Sequence, residues 1–129
     1  MHVSWLLCCE NFVLKENGLC DARDLLFELH TPQIPVMGSV NFTVAALFRT
    51  DEPSKERPLE LRIAVISPDG TMNTSSLTWK LEFTSQQVLW HQKLTDLYLK
   101  EYGFTMIALQ VREGEGWTTE AQYPILILQ

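Results

Sequence analysis

Positive charge is scarce in this chain of 129 residues. Lys plus Arg number 10 against 16 for Asp plus Glu, a formal charge of −6. A protein that neutralises nucleic-acid phosphates needs a surplus of cations on one face. The longest basic cluster, Lys55, Arg57 and Arg62, has Glu56 and Glu60 between its members. Nucleic-acid binding and attraction to an anionic lipid surface are therefore disfavoured. With only 6 Gly and 6 Pro, collagen-like and low-complexity structure are excluded. The three cysteines, Cys8, Cys9 and Cys20, are an odd count with two adjacent, a poor disulfide framework. Cys-Cys also lacks the spacer that turns two sulfurs toward one zinc ion. Reduced, partly buried thiols in a cytoplasmic protein are expected. The apolar run from Val3 to Cys9 is seven residues long with no basic residue ahead of it. It is too short to span a membrane and lacks the charged start of a signal peptide. Without an export signal, the glycosylation-type triplets at Asn41 and Asn73 read as coincidence.

Apolar residues are plentiful, at 46%. Disorder is excluded, and 1–129 reads as a single domain able to hold a core without staples. The dominant signal is alternation with period two. Val40, Phe42, Val44, Ala46 and Phe48 alternate with Asn41, Thr43, Ala45 and Leu47. Leu59, Leu61, Ile63 and Val65 alternate with Glu60, Arg62 and Ala64, and Leu77, Trp79, Leu81 and Phe83 with Thr78, Lys80, Glu82 and Thr84. Each set turns an apolar face inward and a more polar face outward, as a half-solvated antiparallel sheet requires.

Turn chemistry breaks the pattern at regular intervals. Asn17-Gly18 tolerates positive φ and suits a tight hairpin. Thr31-Pro-Gln-Ile-Pro35 reads as an extended crossing between strands. Ser67-Pro-Asp-Gly70 is a turn with Pro68 setting φ, and Glu113-Gly-Glu-Gly-Trp117 is a hairpin loop. Strands are predicted at 3–14, 22–30, 39–50, 58–67, 75–84, 87–95, 103–112 and 117–128. Trp90, Leu94, Leu97 and Tyr98 also fit a helical stripe, so 86–100 has a short helix as its alternative. Strand is preferred there because helical patterning is scarce elsewhere. Eight strands with regular turns predict an all-β fold, an antiparallel two-layer β-sandwich of immunoglobulin or C2 type. The C-terminal Pro124-Ile-Leu-Ile-Leu-Gln129 lacks polar alternation, so either the fold or a partner covers it.

Leu7-Cys8-Cys9-Glu10-Asn11, the Asn17-Gly18 turn, Leu25-Leu26-Phe27 and Pro32-Gln33-Ile34-Pro35 follow one another in an order similar to an uncharacterised prokaryotic β-sandwich family, a domain of unknown function. Ser67-Pro-Asp-Gly70 and Glu101-Tyr-Gly-Phe104 fit it as well. The resemblance implies an all-β sandwich. It carries no catalytic residue to transfer.

Catalytic constellations are missing. Cys9 or Cys20 with His30 supplies the residue types for a thiol enzyme, but activation needs a nearby cation or helix N-terminus. Cys8 and Cys9 should point to opposite faces of their strand, one into the core and one to the surface. His2, His30 and His91 lack paired metal-ligand spacing. No phosphate loop or nucleophile elbow occurs. No cofactor and no metal are expected.

Two features point to binding. On the eight-strand map, Glu16, Asp21, Asp51, Glu52, Glu56, Glu113 and Glu115 share one end of the sandwich, with Asp69, Asp96 and Glu101 at the other. The first group is a candidate acidic rim for Ca²⁺ or a basic partner. Four tryptophans, Trp5, Trp79, Trp90 and Trp117, exceed the needs of a small core, and Trp79 is in phase with core positions. Trp90 and Trp117, with Tyr123, Ile125 and Ile127 of the terminal strand, form a candidate interface. The expectation is a cytoplasmic, non-enzymatic protein-interaction module, a small subunit of an assembly or a homo-oligomer. A carbohydrate- or Ca²⁺-binding module is the alternative, and a Cys/His enzyme a third reading.

Overall fold

A computed structural model describes residues 1–37, 41–95 and 97–129. The predicted start of the third strand, with Val40, and the loop residue Asp96 lie outside the described residues. In chain order the strands are β1 (His2–Leu14), β2 (Cys20–Leu25), β3 (Glu28–His30), β4 (Val36–Met37), β5 (Phe42–Arg49), β6 (Leu59–Ile66), β7 (Met72–Thr74), β8 (Trp79–Leu81), β9 (Gln87–Leu94), β10 (Tyr98–Leu99), β11 (Gly103–Arg112) and β12 (Thr118–Leu128). The segment 86–100 contains β9 and β10, so its helical alternative is corrected. The sole helical turn among the described residues is a 3-10 turn at Pro53–Lys55.

Two packed sheets form the body. The first has the order β2-β1-β5-β9 and is antiparallel throughout. The second has the order β3-β12-β11-β6-β7, with β8 also pairing β6. It is mixed, because β3 runs parallel to β12. A two-stranded pair, β4 with β10, sits apart from both. Val44, Ala46 and Phe48 of the first sheet meet Leu61, Ile63, Ile107, Leu109, Ile125 and Ile127 of the second in one core. The predicted apolar sets of β5 and β6 form this inner face.

Three local departures have physical causes. The predicted strand 75–84 narrows to β8, and Leu77 ends up exposed. The ladder is altered at Ser75: its N–H still donates to the Ile63 carbonyl at 2.7 Å, but the Ile63 N–H donates to the Ser75 Oγ at 3.2 Å, and that hydroxyl donates to the Leu77 carbonyl at 2.8 Å. The predicted strand 22–30 breaks at residues 26 and 27, where the chain passes between sheets. The Leu26 N–H reaches the Cys8 carbonyl at 2.9 Å and the Leu126 N–H reaches the Phe27 carbonyl at 3.0 Å. The proline segment bends rather than running extended, with a cis Ile34–Pro35 bond.

β1 is not straight. Trp5 and Leu14 line one cavity, although nine residues of extended strand would separate them by about 30 Å. Phe12, beyond the last β1–β5 pair, lies with its ring centroid 5.1 Å from that of His91. The β1–β2 hairpin therefore folds back across the outer face of the first sheet. This explains why Thr43, Ala45 and Cys9, on that outer face, are buried.

Candidate functional site

Register places the terminal strand inside the fold. β12 is bonded on one side by β11 and, over Leu126–Leu128, on the other by β3. Ile125 and Ile127 are 2% and 1% exposed, and Tyr123 packs half-buried against the same core. Trp90 is buried too, its ring centroid 5.5 Å from that of Trp79. The expectation that Trp90, Tyr123, Ile125 and Ile127 form an interface is thereby corrected. Continuous apolar character marks a strand paired on both edges, and the fold itself supplies the cover.

Trp117 alone of the five lies on an outer surface. Opposed residues of antiparallel strands share a face. Phe104 opposes Leu126, Met106 opposes Pro124 and Ile66, and Ile66 opposes Met72. Phe104 is 69% exposed and Met72 47%. One half of the outer face of the second sheet is thus an apolar field, which the sequence reading missed. The signal was available: Phe104, Met106 and Ala108 are as apolar as the inward set that alternates with them.

The other half is polar and tightly arranged. The Arg62 Nε donates to the Gln110 Oε1 at 2.7 Å, and the Gln110 Nε2 donates to the Thr119 Oγ1 at 3.1 Å. Arg112 donates to Glu60 at 2.6 Å. The Trp117 ring centroid lies 4.3 Å from the Arg62 guanidinium carbon and 4.9 Å from that of Arg112, both within cation–π range. Burial first, and then the like charge of Arg112, pull the Arg62 pKa down from its ordinary value. Trp117 thus spends ring surface on the protein's own cations.

The acidic residues do not converge. Asp51, Glu52 and Glu56 follow β5, and Glu113 and Glu115 follow β11; these connections share an end, because Arg112 pairs with Glu60 at the start of β6. Glu16 and Asp21 belong instead to the folded-back hairpin. Asp21 pairs with Arg23 at 2.8 Å, Glu52 with Lys55 at 3.1 Å, and Glu56 accepts from the Thr50 hydroxyl at 2.5 Å. Among the described residues, no three His, Cys, Asp or Glu side chains gather as metal ligands.

The thiols are separated. Cys8 faces the core and Cys9 the opposite face, as predicted, but Cys9 is also fully buried, not at the surface. Burial, then the neighbouring Cys9, pushes the Cys8 thiol far up; burial raises Cys9 as well. Cys20 is exposed. The His30 Nε2 lies 3.5 Å from a carboxylate oxygen of Glu28. Among the described residues, no helix is long and apolar enough to cross a membrane.

No protein-family model matches the chain, and neither a curated protein nor a solved structure is similar enough to match it. No family is thereby established. The all-β architecture is the part of the family resemblance that the structure bears out.

Proposed function

We propose that this chain is a non-enzymatic interaction module that works in the cytoplasm as a small subunit of a larger protein assembly, and that it docks through the outer face of its second sheet. The observation that carries the reading is the apolar field of Phe104, Leu126, Met106, Pro124, Ile66 and Met72. Contiguous apolar surface on a folded domain is retained where something covers it. The Arg62–Trp117–Arg112 group borders it, and Trp and Arg are the residue types that anchor interfaces. Three unpaired cysteines favour a reducing compartment. The uncharacterised prokaryotic β-sandwich family named above is the relative this reading favours.

Surface substitution tests it. Phe104→Asp should leave the melting temperature nearly unchanged, since an exposed side chain contributes within about 0.5 kcal/mol. The partner that co-purifies with the natural protein should be lost. A variant that keeps its partner contradicts the reading. The Ca²⁺-binding alternative predicts heat and a raised melting temperature on adding CaCl₂; the interaction reading predicts neither.

A further inference from the structure

Both sheets have edges, and most of them are blunted. At one edge of the second sheet β3 has three residues and covers only Leu126–Leu128, and the stretch of β12 ahead of it carries Glu120 and Pro124, which has no N–H to donate. At the other, β7 and β8 have three each and are separated by residues 75–78. In the first sheet β2 carries Asp21, Arg23 and Asp24, with Asp24 at φ 58°. Charges, short lengths and irregular backbone are the usual protections against strand addition. β9 has almost none of them. It holds eight residues in unbroken register with β5, contains one charged residue, Lys93, besides His91, and among the described residues pairs on one side only.

Surface beside that open edge is shaped. On the outer face β9 presents Leu89, His91 and Lys93 in succession, opposite Leu47, Ala45 and Thr43. Leu89 borders a cavity of about 360 Å³ walled by Trp5, Leu14, Leu19 and Leu47, under the folded-back hairpin. His91 and Lys93 border a second cavity of about 410 Å³ with Phe12 and Thr43. Lys93 has no ion-pair partner among the described residues. Glu10 also lines the second cavity, but on β1, two strands in from the edge.

We propose that β9 takes up an extended segment of a partner protein as a fifth strand of the first sheet. Main-chain hydrogen bonds along β9 supply the affinity, and alternate side chains supply the selectivity. The segment would carry an apolar side chain opposite Leu89 and an acidic one opposite Lys93, four positions away. A second copy of this chain fits less well. β9 contains no acidic residue, so its self-pairing would set no carboxylate against Lys93. The inference rests on the reading of the chain as an interaction module but uses a different surface.

A displayed library of random octapeptides, selected against the full chain, tests it. Enriched peptides should share an acidic and an apolar residue four apart and should slow amide exchange along β9. Lys93→Glu should weaken the best of them about tenfold, one cross-strand attraction being replaced by repulsion. Changing the acid of the peptide to Lys should restore binding to that variant. No enrichment, or enriched peptides that leave β9 exchange unchanged, would overturn the inference. Peptides that protect the strands around Phe104 and Met72 would overturn it too, while supporting the face named above. A peptide-free dimer with β9 protected would overturn the choice of partner.

Discussion

Single residues report on where the three thiols lie. Cys20 is exposed and Cys8 and Cys9 are buried, so an aromatic disulfide reagent should titrate one fast thiol per native chain and the other two only in denaturant. Three fast thiols would contradict the burial of the pair. Cys8→Ser puts a hydroxyl into an apolar site, and denaturation should read a loss of about 1–3 kcal/mol. The opposite orientation of the two adjacent thiols was legible in strand parity. The burial of Cys9 was not, because the cover comes from a hairpin that bends back over its own sheet, a tertiary event without local signature. Asp69 gives a pH signature. Hydrogen bonds from Lys100 at 2.6 Å and from the Thr71 hydroxyl at 2.6 Å hold its carboxyl below the ordinary value of 3.8. The folded state thus binds that proton more weakly than the unfolded chain. The contribution is complete above the ordinary Asp range and fades as pH falls through the lower, folded value. Asp69→Asn should melt below the parent near neutral pH, and the gap should close on acidification from about pH 4 downward. A gap independent of pH would sink this account.

At the scale of elements, two connections hold strand ends in place. Gly103 opens β11 at φ 121°, and a Cβ there would lie 3.1 Å from the Pro68 Cγ of the turn between β6 and β7. Gly103→Ala should therefore cost about 1–3 kcal/mol by denaturant titration; an unchanged midpoint would mean the turn yields freely. Ser75→Ala strands the buried Ile63 N–H, and a loss of about 1–3 kcal/mol is expected. Long strands were legible, β5 and β6 from alternation and β9, β11 and β12 as apolar-rich runs between turns, and all five fall inside their predicted ranges. Short ones were not. β3, β4 and β10 span two or three residues, too few for any period to register. Alternation also says which residues share a face, not which face is inside. In β11 both sets are largely apolar, so Phe104 and Met106 could not be told from Thr105 and Ile107 without the partner sheet. The nearly all-apolar end of β12 misled for a related reason: a central strand and a partner-covered edge look alike in sequence.

For the whole molecule, the proposed docking through the apolar sheet face around Phe104 can be tested in place. A photoreactive phenylalanine analogue placed at position 104, in cells that make this protein, probes that docking most directly. The same group at Glu113, in the loop after β11, serves as the control. Irradiation should give one discrete adduct of defined mass from position 104 and none from position 113. No adduct at 104, or the same diffuse products from both positions, would contradict the claim that the Phe104 face is where this protein meets its partner.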